Sequence, residues 1–190
     1  MRPDDRVYSW HIPLKAHAPM HRLATQYQWA LSQVPQLRLC TPPWLRLPLR
    51  DLGPATEIRY TDVQDITAAV QERLTAIPVC TLTTGEVIRR RGTLSLEVHG
   101  DLRPLQRTLE AAVASVLGWR PRWHRPPRLL LAHHTESVDP LQLRRVLSTV
   151  QTRPVDIRVD SISLALLRWH SGQHLWSELD RVALAEPANR

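Results

Sequence analysis

The chain has 190 residues, 43% of them hydrophobic, and a net charge of +7. That is the size and apolar content of a single two-lobed domain over residues 1–190 with a real core, and the lack of any apolar run near eighteen residues excludes a membrane-spanning helix. The charge favours an anionic partner such as RNA, a nucleotide or a phosphorylated metabolite; it is almost wholly arginine, with Lys15 the only lysine and no phenylalanine, a bias that a GC-rich genome also produces.

The opening residues Met1 to Arg6 lack the apolar stretch of a signal peptide, so a cytoplasmic protein is expected. Val7 to Leu14 reads as a strand in which Tyr8, Trp10, Ile12 and Leu14 alternate with Val7, Ser9 and His11. A helix is expected from about Met20 to Val34, with Leu23, Tyr27, Ala30 and Leu31 near helical spacing. His17 and His21 stand at i, i+4, with Pro19 between them interrupting a helix. Leu37 to Cys40 is a short strand, Trp44 to Leu49 a second, and Asp51-Leu52-Gly53-Pro54 a turn.

The second helix starts at Thr61, which forms a capping box with Gln64, and ends before Pro78. Val79 to Thr84 and Glu86 to Arg89 suggest a hairpin about Gly85, with a third strand over Thr93 to Val98. Asp101 caps a third helix, Pro104 lies in its first turn, and Gly118 ends it after Leu117. Residues 119–127 form a Pro-stiffened basic loop, followed by a strand from Arg128 to His133. Asp139-Pro140 opens a fourth helix to about Val150. A closing meander runs through Val155–Val159, Ser161–Trp169, a turn at Ser171-Gly172, and His174–Leu184. This order implies an α+β fold of mostly antiparallel sheet in two loosely related halves.

One pattern occurs in both halves. Pro43-Trp44-Leu45-Arg46-Leu47-Pro48-Leu49 is echoed by Pro126-Pro127-Arg128-Leu129-Leu130-Leu131. Strand alternation puts Trp44, Arg46 and Pro48 on one face and Arg128, Leu130 and Ala132 on one face. Leu45, Leu47, Leu49, Leu129 and Leu131 then point the other way, into a core. The planar fork of arginine pairs bidentately with phosphate or carboxylate.

These strands, the opening Tyr8-Ser9-Trp10-His11-Ile12 and the meander residues Ile157, Val159, Ile162, Leu164, Gly172, Trp176, Val182 and Leu184 carry a likeness over nearly the whole chain. The chain resembles the two-histidine phosphoesterase superfamily, in particular bacterial 2′-5′ RNA ligase-like proteins. The resemblance implies two pseudo-symmetric lobes with helices packed outside and a central cleft. It also implies metal-free chemistry on cyclic phosphates or 2′-5′ linkages, with one histidine as general base and another as general acid. In that family each lobe carries His-x-Thr or His-x-Ser. Here the histidine positions hold Arg46 and Arg128, and the hydroxyl positions hold Pro48 and Leu130. Arginine stays protonated and only donates, so it cannot shuttle protons near neutral pH. A cleft that grips an anion without the acid–base pair is expected.

Other residues leave alternatives open. His11, His133 or His134 could supply an acid or base to a repurposed site; His134 shares strand parity with Arg128. A surface or hydrogen-bonded structural role is the default reading for each. Trp119, Arg120, Arg122, Trp123 and Arg125 interleave rings with cations, as single-stranded nucleic acid requires, or form a loop packed on the body. Cys40 and Cys80 read as free buried thiols. No metal or other cofactor is expected, because the histidines lack carboxylate or thiolate companions at ligand spacing. Three functions fit: a degenerate anion-binding member of the fold, a repurposed enzyme acting on a peptide or small molecule, and an interaction module with a vestigial cleft. Oligomeric state is not legible in the sequence.

Overall fold

The computed structural model describes residues 6–90, 92–118, 126–134, 138–170 and 173–186. The first half runs β1 (Arg6–Pro13), α1 (Ala18–Leu31), β2 (Leu37–Leu39), a 3-10 turn (Pro42–Trp44), β3 (Arg46–Pro54) and α2 (Tyr60–Leu74). Then come β4 (Cys80–Arg90), β5 (Thr93–His99), α3 (Arg103–Leu117), β6 (Arg128–His134), α4 (Pro140–Leu147), β7 (Asp156–Val159), β8 (Ser161–His170) and β9 (Gln173–Ala183).

The strands make two antiparallel sheets, ordered β3-β1-β8-β9 and β2-β6-β5-β4-β7. The run β6-β5-β4-β7 repeats the plan of the first sheet, with β2 added along the outer edge of β6. This is the α+β, two-lobed architecture expected from the element order. The strands are held because each has a buried apolar face: Tyr8, Trp10 and Ile12 on β1, Leu47 on β3, Leu94 and Leu96 on β5, and Leu129 and Leu131 on β6 all join one core cluster. Helices α2 and α3 pack on each other and reach β9 and β3, while α1 and α4 pair, with α1 also against β2 and β6. No helix among the described residues is long and apolar enough to cross a membrane.

Both motif strands carry a β-bulge at the same place. On β3, His11 of β1 faces Pro48 and Trp10 faces Arg50, so Leu49 is the extra residue. On β6, Ser95 of β5 faces Leu130 and Leu94 faces Ala132, so Leu131 is the extra residue. Each bulge lies three residues after its arginine. A bulge turns two successive residues toward one side and inverts the alternation beyond it.

Several local expectations are corrected. Trp44 lies in the 3-10 turn ahead of β3, because Pro42-Pro43 sets φ for such a turn. It therefore does not share strand parity with Arg46 and Pro48. Asp51 to Pro54 form no turn; they extend β3 opposite Val7, Tyr8 and Ser9. β3 lies at the edge of its sheet, where Pro48 and Pro54 are tolerated. Gly85 does not divide a hairpin: β4 is continuous with a bulge after Thr84, and the His99 ring covers Gly85. Pro19 does not break α1. It occupies the first turn, where its missing N–H costs nothing. His17 Nδ1 accepts the Met20 amide and His21 Nε2 donates to the Leu14 carbonyl, so both histidines secure that helix start. Helix α2 begins one residue early, capped at Arg59, which forms an ion pair with Asp62 in place of the Thr61 box. It ends at Leu74, with Ala76 and Ile77 continuing only as turn, and α4 stops at Leu147. The N-cap of α3 is Leu102 and not Asp101, although Asp101 Oδ1, one residue ahead, accepts the Arg103 amide at 3.0 Å.

Gly100 joins β5 to α3 at φ +142°, and a Cβ there would stand 2.5 Å from Leu82 Cδ2 and 3.1 Å from the Thr81 carbonyl oxygen. Gly100→Ala combines that backbone strain with the close approach, and should cost about 1–3 kcal/mol of unfolding free energy. Urea denaturation checks this; an unchanged midpoint rules it out.

Candidate functional site

Arg46 and Arg128 are the first residues of β3 and β6, and these two strands lie next to each other where the sheets meet. Both side chains are half-buried. The alternation up to each bulge carries Leu47 and Leu129 into the core and leaves Arg46 with Pro48, and Arg128 with Leu130, on the other face. Pro48 is exposed and Leu130 half-buried.

Beyond the bulges the assignment departs from simple alternation. Leu49 and Arg50 both turn inward, and Arg50 forms a buried ion pair with Glu110 of α3. Asp51 comes round to the Arg46 side, where its carboxylate acts on the guanidinium. In β6, Leu131 and Ala132 both turn inward. His133 therefore takes the place equivalent to Asp51, while His134 is displaced toward the Arg90 carbonyl, 3.4 Å away. Parity alone favours His134 at the cleft; the bulge gives that place to His133.

Arg46 is the electrostatic centre of this region. Burial lowers its pKa, and the opposing effects of Asp51 and Cys40 do not cancel that shift. It acts on groups from three other segments. The Cys40 thiol, just past the end of β2, is pushed up to about 11 by burial, against the pull of Arg46. The His133 imidazole is held below its ordinary pKa by burial, then by Arg46 and His134. His11 is lowered to about 3, by burial first and then by Arg46, with Glu178 opposing and Arg181 assisting. His11 and His133 are thus neutral at pH 7.

His11 sits on β1 between Pro48 of β3 and Ser163 of β8. It is fully buried at 0% exposure. The Trp176 indole of β9 packs edge-on against it, ring centroids 4.5 Å apart at 67°. Trp176 also meets Trp44 at 6.4 Å and donates its Nε1–H to the Trp44 carbonyl at 3.3 Å. Beside them the Glu178 carboxylate accepts Ser163 Oγ at 2.7 Å and Arg181 Nη2 at 2.8 Å. Burial acts to raise that carboxyl, but these hydrogen bonds outweigh it and hold it below its usual range.

The structure thus gathers Arg46, His133 and His11 with Trp44 on the fringe, and starts the neighbouring strand with Arg128. Asp51, Ser163, Trp176, Glu178 and Arg181 are site residues not picked out as functional from sequence. Trp176 and Glu178 share strand parity in β9, but nothing in the sequence says which strand they border. Trp119, Arg120, Arg122, Trp123 and Arg125 lie outside the described residues. Cys40 and Cys80 are free and half-buried. Among the described residues no three His, Cys, Asp or Glu side chains gather as a metal-binding group.

No family model matches the chain, and no curated protein matches it by sequence. Solved structures do. The protein TT0787 of Thermus thermophilus superposes with a TM-score of 0.75 at 14% identity, covering 95% of this chain and 98% of that one. E. coli LigT complexed with 3′-AMP gives 0.68 at 16% identity over 95% and 99% of the two chains. LigT structures with ATP, NADP+ and phosphate are similar too. A protein described as a phosphoesterase gives 0.64 at 16%, covering 97% and 99%. Over nearly its whole length, then, the chain has the two-lobed fold of LigT.

Proposed function

We propose that the chain is a single two-lobed unit that binds a phosphorylated or otherwise anionic small molecule, or an RNA end, between its lobes, without two-histidine acid–base catalysis. One observation carries this reading: arginine opens both equivalent motif strands, each three residues before an equivalent bulge. A guanidinium fork suits a phosphate, which accepts two parallel hydrogen bonds. The burial that lowers the Arg46 pKa gives a bound anion more leverage than it would have in water. Crystals of E. coli LigT with 3′-AMP, ATP, NADP+ and phosphate support the ligand class.

Hydrogen bonds between charged groups contribute about 1.5–3 kcal/mol each. Arg46→Ala or Arg128→Ala should therefore weaken phosphate binding by roughly 10- to 150-fold, read by calorimetry. Unchanged affinity in both variants rejects the reading. Turnover of 2′,3′-cyclic nucleotides should not exceed background, since neither arginine can act as the base. Turnover clearly above background rejects the loss of that chemistry.

A second reading is favoured by the placement of His133. It stands near Arg46 on the cleft side, where a neutral imidazole could act as a base in a repurposed reaction on a ligand held by Arg46. His133→Ala with unchanged phosphate affinity and lost turnover of a substrate found by screening would select it.

A further inference from the structure

We propose that His11 is a ligand-reading residue of this cleft, kept under the Trp176 indole until the anion held by Arg46 arrives, and that it serves as a neutral hydrogen-bonding group and not as an acid or base. This rests on the anion-binding reading above.

The first observation is burial without satisfaction. His11 is fully enclosed, and neither ring nitrogen has a hydrogen-bond partner among the described residues. Buried polar atoms are paired in nearly all native structures, and each exception calls for a cause. An apolar side chain would fill this place on β1 without that penalty. The second observation is location. His11 is the β1 residue facing Pro48, two positions along β3 from Arg46. Its equivalent in the other lobe is Ser95, facing Leu130 two positions along from Arg128. The imidazole therefore lies on the same face of the sheet as the guanidinium, which acts on it electrostatically.

The third observation is the cover. Trp176 lies on β9, the edge strand of its sheet, and is only half-buried. Among the described residues its indole N–H makes one hydrogen bond, at 3.3 Å to the Trp44 carbonyl in the turn that leads into Arg46. Rotation of the indole opens His11 to the cleft without disturbing a strand pairing. The groups facing His11 are Arg46 from β3, Ser163 from β8, and Glu178 and Arg181 from β9. Ser163 and Arg181 are already engaged with Glu178. Burial, and then Arg46, keep the imidazole uncharged, so it presents one N–H donor and one acceptor nitrogen. The donor suits a phosphate oxygen, and the acceptor suits a hydroxyl on a phosphate ester.

Phosphate itself is the probe. Added to the wild-type protein, it should move the His11 ring ¹⁵N resonances and change Trp176 fluorescence with the same midpoint that calorimetry gives. His11→Phe, which keeps a ring beneath the indole, should bind phosphate about tenfold more weakly. In His11→Phe, Trp176→Phe should have no effect on affinity, whereas alone it should tighten binding by removing the covered state. If phosphate binds through Arg46 while the His11 resonances stay fixed, or if His11→Phe binds as tightly as wild type, this inference falls and anion binding stands. If wild type binds no phosphate, both fall.

Discussion

Glu110→Ala is expected to lower the unfolding free energy by about 3–5 kcal/mol, among the largest single-residue effects in this fold. Arg50 has only 4% of its side chain exposed, and the Glu110 carboxylate on α3 pairs with it. The pair itself adds little net stability, because both charges leave water to form it. Deleting one member differs: the guanidinium keeps its desolvation penalty and loses the charge of this carboxylate. In a chain of this length the loss should appear as a fall in melting temperature of roughly 6–20 °C. Glu110→Gln retains a hydrogen-bond acceptor and should cost less. Replacing both partners with apolar residues, Arg50→Met with Glu110→Leu, should restore much of the loss. A melting temperature within two or three degrees of wild type for Glu110→Ala would show that α3 and β3 do not depend on the pair.

The same bulge explains why that ion pair could not be read from the sequence. Leu45, Leu47, Leu129 and Leu131 alternate clearly enough for the inward face of both motif strands to be assigned, and the arginines follow by parity. Continued alternation would put Arg50 beside Arg46. The extra residue at Leu49 sends it to the helix layer and brings Asp51 round instead. In Leu129-Leu130-Leu131-Ala132 nothing in the residue types marks where an added residue falls, since all are apolar. The choice between His133 and His134 depends on that mark. Turn chemistry misleads for a related reason. Asp51-Leu52-Gly53-Pro54 has the composition of a turn, but β1 is long enough to pair with it, and pairing outweighs local preference. Pro19 and Pro42-Pro43 show proline shaping starts of elements: one fits the first turn of a helix, the others impose a 3-10 turn that displaces Trp44 from the strand.

Acid should weaken the fold from about pH 6.5 downward, and His11 should be the main cause. The imidazole has an ordinary pKa of 6.5, recovered on unfolding, and is lowered to about 3 in the folded chain by burial, with Arg46 adding to the shift. The unfolded chain therefore takes up a proton below pH 6.5 that the folded chain refuses. Stability is complete above pH 6.5, declines as pH falls, and reaches its full loss only near pH 3, where the folded form also protonates. The difference in pKa corresponds to about 4–5 kcal/mol at that limit. By pH 5 the loss should already be roughly 2 kcal/mol. His133, also lowered, contributes with the same sign in the same direction. Glu178, whose carboxyl is held low, adds its own loss only at more acid pH. Urea denaturation at pH 7 and pH 5 isolates the histidine part. The wild type should lose stability across that interval, and His11→Phe should remove most of the loss, because phenylalanine has no proton to gain in either state. If His11→Phe keeps the wild-type slope, the imidazole is not held neutral under Trp176, and the account of His11 as an uncharged group facing the cleft fails with it.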